Sequence, residues 1–213
     1  MDIAEQLSSF YERLYELHRL NSIGAVLGWD QRVCMPPNAA EERAGQFEYL
    51  AGLVHQRFTD PQFSRTVDEL FEAHDTLSSD DQVNIREIKR LLDRERKLPE
   101  EFVREESQAA SIGYNTWVKA RPANDWKSVE PALEKLVDLN KRKADLLGYQ
   151  DHPYNPLLDI FEPGAKLQEV KPLLLDVPTN SVDSSRRSPR SSTNRSPSRA
   201  IMMPPPSSDC ASG

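Results

Sequence analysis

The residues best suited to metal or proton chemistry are the four histidines, His18, His55, His74 and His152. Each lies in a different predicted element, and none has a histidine or cysteine partner at a metal-ligating spacing. A catalytic zinc needs three converging protein ligands, commonly two histidines one helical turn apart and a third group. The sequence therefore predicts no catalytic, metal-binding or cofactor-binding residue, with convergence of distant side chains as the alternative.

Other local motifs of enzyme sites do not occur in the chain. There is no Gly-rich phosphate loop, no Cys-x-x-Cys pair and no Gly-x-Ser-x-Gly nucleophile turn. Cys34 and Cys210 are far apart in the sequence, so we expect two reduced thiols. No run of about 18 apolar residues is present, and the first residues lack the pattern of a secretory signal. We therefore expect a cytoplasmic protein with no membrane partner.

Composition divides the chain near Val177. The chain has 34 acidic and 27 basic residues, but residues 178–213 contain five arginines and only two aspartates. An acidic surface repels phosphate backbones, so nucleic acid is not an expected partner of residues 1–177. All aromatic residues lie at or before Phe161. Because residues 178–213 have little apolar surface to offset the entropy cost of folding, we predict that they are disordered.

Apolar residues recur at helical spacing through residues 1–177. One apolar stripe predicts a first helix that runs to about Leu27. The prolines after Met35 are expected to end any regular structure that follows Trp29. That stripe consists of Ile3, Leu7, Phe10, Leu14 and Leu17. Three further helices are predicted with both ends, over residues 39–58, 128–147 and 166–176. Three more are predicted from their start signals, which are Asp60-Pro61, a capping box at Ser79 and Gln82, and Pro99.

No segment shows sustained two-residue alternation, so the sequence predicts an all-α fold without a sheet. In the helix that follows Ser79, the inward residues are expected to be Val83, Ile88, Leu91 and Leu92. Three tryptophans, Trp29, Trp117 and Trp126, are expected to be core or groove-wall anchors, because large aromatic side chains dominate burial energetics.

Several short motifs occur in an ordered series over about 175 residues. The first is Val26-Leu27-Gly28-Trp29-Asp30-Gln31, with Met35-Pro36 and Arg43 after it. The later ones are Lys97-Leu98-Pro99, then Trp117, Ala120 and Arg121, then Asn124-Asp125-Trp126, then Gly148-Tyr149, Pro153-Tyr154 and Phe161-Glu162-Pro163-Gly164. In this order they resemble the N-terminal third of the carboxypeptidase Taq family of metallocarboxypeptidases.

The resemblance implies the helical N-terminal part of a saddle-shaped, zincin-like enzyme, usually a homodimer. Such an enzyme removes C-terminal amino acids from peptide substrates with a divalent metal, zinc or cobalt. In that family a His-Glu-x-x-His helix and a later glutamate bind the metal, and the motif glutamate is the general base. No residue of this chain matches those positions. The resemblance therefore assigns no catalytic residue and no cofactor to the chain itself, which is expected to be a truncated and inactive fragment.

Residues 178–213 depart from the family pattern. Their Ser/Arg/Pro bias, as in Ser184-Ser185-Arg186-Arg187-Ser188-Pro189, is typical of GC-rich coding DNA translated out of frame. Our hypothesis is that a frameshift produced this tail, so residues 1–177 and 178–213 are predicted to be separate regions.

Two other functional interpretations remain open. A non-catalytic helical fragment could bind another subunit, because truncation leaves apolar faces uncovered, with simple aggregation as the favoured outcome. The Arg/Ser tail could instead bind RNA or act as a phosphorylated segment, but it has no stacking aromatic residue, and the acidic surplus of the rest of the chain opposes RNA binding.

Overall fold

A computed structural model describes residues 2–187, with side chains as far as Val177. It contains eight α-helices within that range and no strand, which confirms the all-α prediction. They are α1 (Ile3–Val33), α2 (Ala40–Phe58), α3 (Pro61–Glu72), α4 (Ser79–Glu95), α5 (Glu100–Ala120), α6 (Trp126–Leu147), α7 (Asn155–Leu158) and α8 (Leu167–Arg187). None of these helices combines the length and the apolar character that a bilayer span requires.

The described residues divide into two compact units, with the boundary between Leu157 and Leu158. In the second unit, Gly164 at φ 82° donates its N–H to Asp159, and α8 follows. The backbone of α8 is helical through Arg187, so the helix continues past the boundary that composition predicts at Val177. The predicted disorder of residues 188–213 lies outside the described residues.

Most helix ends coincide with their local sequence signals. Asp60 accepts hydrogen bonds from the N–H groups of Gln62 and Phe63, both at 3.0 Å, directly before Pro61 opens α3. Gly148 ends α6 at φ 78°, a left-handed conformation that glycine adopts without steric cost. The first helix continues to Val33 rather than Leu27, and Pro36 and Pro37 then prevent its continuation.

Two predicted helix starts were displaced. Ser78, not Ser79, caps α4, because the Ser78 hydroxyl accepts from the Asp81 N–H at 3.2 Å. The Gln82 side chain instead donates to the Leu77 carbonyl. Helix α6 begins at Trp126 rather than Ser128, since Asp125 accepts a hydrogen bond from the Ser128 N–H. Short polar side chains compete as caps at neighbouring positions, and only the folded backbone selects one of them.

The core of the first unit lies where α1, α3 and α4 meet. Its buried residues are Phe10, Phe63, Val67, Leu70, Ile85 and Leu92. Two predicted inward residues, Ile3 and Val83, are exposed instead. In α4 the buried stripe follows Ile85, Ile88 and Leu92, and Val83 lies on nearly the opposite side of the helix, since successive residues rotate by about 100°.

Polar contacts supplement apolar packing between α2, α5 and α6. The Ser107 hydroxyl donates to the Phe47 carbonyl at 3.2 Å, and Gln108 donates to Glu48 at 2.8 Å. Between α5 and α6, Lys143 pairs with Glu106 at 2.8 Å. These contacts fix the position of α5 against α2 and α6, because each polar side chain must lie opposite its partner.

Removing a core side chain should destabilise the first unit strongly. Leu70→Ala is expected to lower the free energy of unfolding by about 2–5 kcal/mol, because it removes buried methyl groups and leaves a cavity. Leu133→Ala, at a side chain that is 43% exposed, is the matched control and should change it by about 0.5 kcal/mol or less. Urea unfolding followed by circular dichroism measures both. Equal effects would contradict the assignment of this core.

Candidate functional site

The first motif of the series folds into a polar junction between α1 and α2. Arg43, near the start of α2, donates to the Leu27 carbonyl at 2.6 Å and to the Asp30 carboxylate at 2.5 Å. Its third guanidinium nitrogen donates to Gln46 at 2.9 Å. Only 12% of the Arg43 side chain is exposed, so this ion pair is partly shielded from water. The junction holds α2 against the end of α1 across the proline turn.

The same motif also reaches α5. Gln31 donates from its side-chain amide to the Ser111 hydroxyl at 3.0 Å, and Ser111 is buried. One turn further along α5, the Tyr114 ring lies 5.8 Å from the Arg32 guanidinium, within the range of a cation–π contact. The partners of Gln31 and Arg32 are about 80 residues away in the sequence, so no local pattern could have identified them.

The three tryptophans are not core residues. Trp29, Trp117 and Trp126 are 58%, 49% and 58% exposed, so the interpretation of these residues as core anchors was wrong. The inward stripe of α1 consists of Gln6, Phe10 and Leu17, and Trp29 lies beyond its end. The alternative, that these rings line the wall of a groove, stays a prediction.

A small cleft of about 290 Å³ lies where α5 turns into α6. The Asn124-Asp125-Trp126 motif forms this turn. Asn124 has a left-handed backbone at φ 50°, which asparagine tolerates better than most residues, and its side chain accepts from Arg121 at 3.1 Å. Asp125 caps α6. The polar residues of this motif therefore have structural roles in the turn.

The histidines do not form a metal site among residues 2–177. His74 lies beside Asp75, and His152 accepts a hydrogen bond from the Tyr154 N–H. His18 and His55 line the same cavity but belong to different helices. In that part of the chain no three His, Cys, Asp or Glu side chains are grouped closely enough to hold an ion. The described residues thus do not fit a divalent metal.

Comparison with known sequences defines the class of protein. The sequence model of the carboxypeptidase Taq (M32) metallopeptidases matches residues 9–203. This chain therefore belongs to that family, as the ordered motifs predicted. The matched range continues past Val177 to Met203, and the proposed frameshift origin of the tail stays a prediction.

Individual relatives agree with this assignment. The thermostable carboxypeptidase 1 of Thermus thermophilus is 37% identical, over 78% of this chain and 36% of the relative. The crystal structure of BsuCP superposes with a TM-score of 0.78 at 29% identity, covering 81% of this chain and 35% of that one. The M32 carboxypeptidase from Deinococcus radiodurans R1 gives 0.67 at 31% identity, covering 87% and 38%. The chain spans about a third of the length of the curated relatives it matches.

Replacing Arg43 should loosen the junction of α1 and α2. Arg43→Met is expected to lower the free energy of unfolding by about 1–3 kcal/mol, because it strips hydrogen bonds from Asp30 and the Leu27 carbonyl. Arg43→Lys should recover only part of that loss, since an ammonium cannot reproduce the guanidinium fork.

Arg86→Met provides the matched control for Arg43→Met. Arg86 is exposed and pairs with its neighbour Glu87, so the change should cost less than about 1 kcal/mol. Urea unfolding measures all three variants. If Arg43→Met were no more destabilising than Arg86→Met, the junction would not be structurally important.

Proposed function

We propose that this chain supplies the helical N-terminal part of a metallocarboxypeptidase, a hydrolase that releases C-terminal amino acids from peptides. We also propose that the 213-residue polypeptide does not catalyse this reaction by itself. The single observation that carries the first part is the family match over residues 9–203. The second part is supported by the sequence, which contains no His-Glu-x-x-His motif.

The divalent metal of such an enzyme, zinc or cobalt, would activate the attacking water and stabilise charge in the transition state. The residues of this chain would have a positioning role instead. Arg43 and Gln31 fix α2 and α5 against α1, and the half-exposed indoles of Trp29, Trp117 and Trp126 provide apolar surface. A helical wall that these contacts hold in place suits one side of a peptide-binding groove. A cytoplasmic location is part of this proposal.

A peptidase assay tests the proposal directly. Purified 213-residue protein, incubated with zinc or cobalt and a blocked dipeptide, should release no more free amino acid than the same sample with a chelator. The Thermus thermophilus carboxypeptidase, assayed in parallel, controls for substrate and metal quality. Metal-dependent release by this chain, abolished by the chelator, would contradict the proposed inactivity and support catalysis by the chain itself.

A second candidate function is a non-catalytic helical module that binds a protein subunit, including a second copy of itself. One observation favours it. Val26, Trp29 and Val33 are each more than half exposed and lie within a narrow arc of α1, with Ile23 beside them. A contiguous apolar stripe of this kind on a helix is typical of an interaction surface or of a cause of aggregation.

Charged residues placed on this apolar stripe should distinguish a defined oligomer from simple aggregation. The double substitution Val26→Glu and Val33→Lys is expected to reduce self-association, measured by light scattering coupled to size-exclusion chromatography. Glu12→Lys, at an exposed position far from the stripe, is the control. A defined dimer that only the double variant disrupts would favour the subunit module, whereas polydisperse material would favour simple aggregation. Association unchanged by the double variant would exclude the stripe as its cause.

A further inference from the structure

Two exposed indoles line the cleft where α5 turns into α6. Trp117 lies in the last turn of α5 and Trp126 is the first residue of α6, and both border the cleft. Ala120 and Val129 complete the apolar part of the lining. The Trp117 ring also lies 6.2 Å from the Tyr114 ring, so aromatic surface continues along α5. Two indoles in one cleft offer a large apolar contact area and two polar N–H groups.

The hydrogen-bond acceptors of this cleft already have donors within the turn. The Asp125 carboxylate accepts from the N–H and the hydroxyl of Ser128, and the Asn124 side-chain oxygen accepts from Arg121. The carbonyls of Ala120 and Arg121 accept the N–H groups of Asp125 and Asn124 at 3.1 and 3.2 Å. A ligand in the cleft therefore meets acceptors that are already engaged.

The hydrogen-bond donors of the cleft are less fully used. Among residues 2–177 no acceptor is paired with the indole N–H of Trp117 or Trp126, and Arg121 spends one of its three guanidinium nitrogens on Asn124. An indole nitrogen and a guanidinium can only donate hydrogen bonds. The charges of Arg121 and Asp125, both in the lining, offset each other. The cleft therefore suits a neutral molecule that carries acceptors and no donors.

We infer that this cleft binds a proline-rich segment of another protein in the polyproline II conformation. Proline has no backbone N–H, so such a segment presents carbonyl acceptors without backbone donors. Its pyrrolidine rings pack on the indoles of Trp117 and Trp126, and the indole N–H groups and Arg121 donate to its carbonyls. Aromatic grooves recognise proline-rich segments in this way, because the extended helix is preformed and loses little entropy on binding.

Other ligand classes match the cleft less well. An ordinary peptide brings an N–H at every residue, and those donors would lose water without gaining an acceptor. A cation would be repelled by Arg121, and a free carboxylate would meet the negative charge of Asp125 as well as Arg121. A hydrocarbon would cover the indole N–H groups without offering them an acceptor.

The probe for this site is hexaproline with an acetylated N-terminus and an amidated C-terminus. Its control is the same peptide built from D-proline, which has the same composition but forms the mirror-image helix. Isothermal titration calorimetry on the full 213-residue protein is expected to show the L-peptide binding at least about tenfold more tightly. Equal affinities, or no binding of the L-peptide, would overturn the inference.

A second control tests the role of the missing N–H groups. A blocked hexapeptide of alternating alanine and serine has the same length but retains every backbone N–H. It is expected to bind at least about tenfold more weakly than L-hexaproline. Comparable binding would show that the cleft accepts ordinary peptides and would contradict the inference.

Substitutions of tryptophan locate the binding. Trp117→Ala and Trp126→Ala should each lower the affinity for L-hexaproline by about tenfold or more, because each removes a packing surface and a donor. Trp29→Ala is the matched control, since Trp29 is 58% exposed but lies on α1 and does not line the cleft. Affinity lowered equally by Trp29→Ala would place the binding elsewhere.

The double variant Trp117→Phe and Trp126→Phe keeps two aromatic rings but removes both indole N–H groups. It should weaken binding by about three- to tenfold, less than either alanine variant, since only hydrogen bonds are lost. Unchanged affinity would contradict the donor role of the indoles.

Circular dichroism establishes that each variant is folded, and if an alanine variant is not, the phenylalanine variant still tests the location. None of these outcomes depends on peptidase activity, so the test is independent of the proposed function.

Discussion

The arrangement of the first unit depends on how α2 is held against the end of α1. Pro36 and Pro37 force the chain to turn, but a turn alone does not set the angle between two long helices. Arg43 sets it by binding the Leu27 carbonyl and Asp30 in one guanidinium fork. Helix α5 packs on α2, and α6 packs on α5, so an error at this junction would propagate through the unit. The partial burial of Arg43 strengthens these contacts, because water competes less for its hydrogen bonds.

This constraint gives the family motifs a physical meaning. Residues that carry the family resemblance in the sequence, such as Asp30, Gln31 and Asn124-Asp125-Trp126, join helices and form turns. A metallopeptidase must hold its metal and its peptide in fixed relative positions, and rigid helical walls provide that precision. The chain therefore shares the helical scaffold of the peptidase family to which it belongs.

The interior of the unit is not filled uniformly. The core of α1, α3 and α4 is closely packed around Phe10 and Leu70, whereas a large apolar space remains between α1, α2, α4 and α5. His55 and Glu95, whose nearest side-chain atoms lie 3.7 Å apart, border the same space. The two regions thus differ in kind, one being a closely packed core and the other an apolar cleft.

The sequence by itself determined the helical class, most helix boundaries and the family, because these follow from local rules. These rules act within a few residues. Helices begin or end as predicted at Pro36 and Pro37, at the Asp60 cap and at Gly148. Only the tertiary structure decided which side chains meet. The contacts of Gln31 with Ser111 and of His55 with Glu95 join residues 80 and 40 positions apart, and the exposure of the tryptophans depends on which helices cover them. Such pairings result from the packing angles of whole helices, which no local pattern encodes.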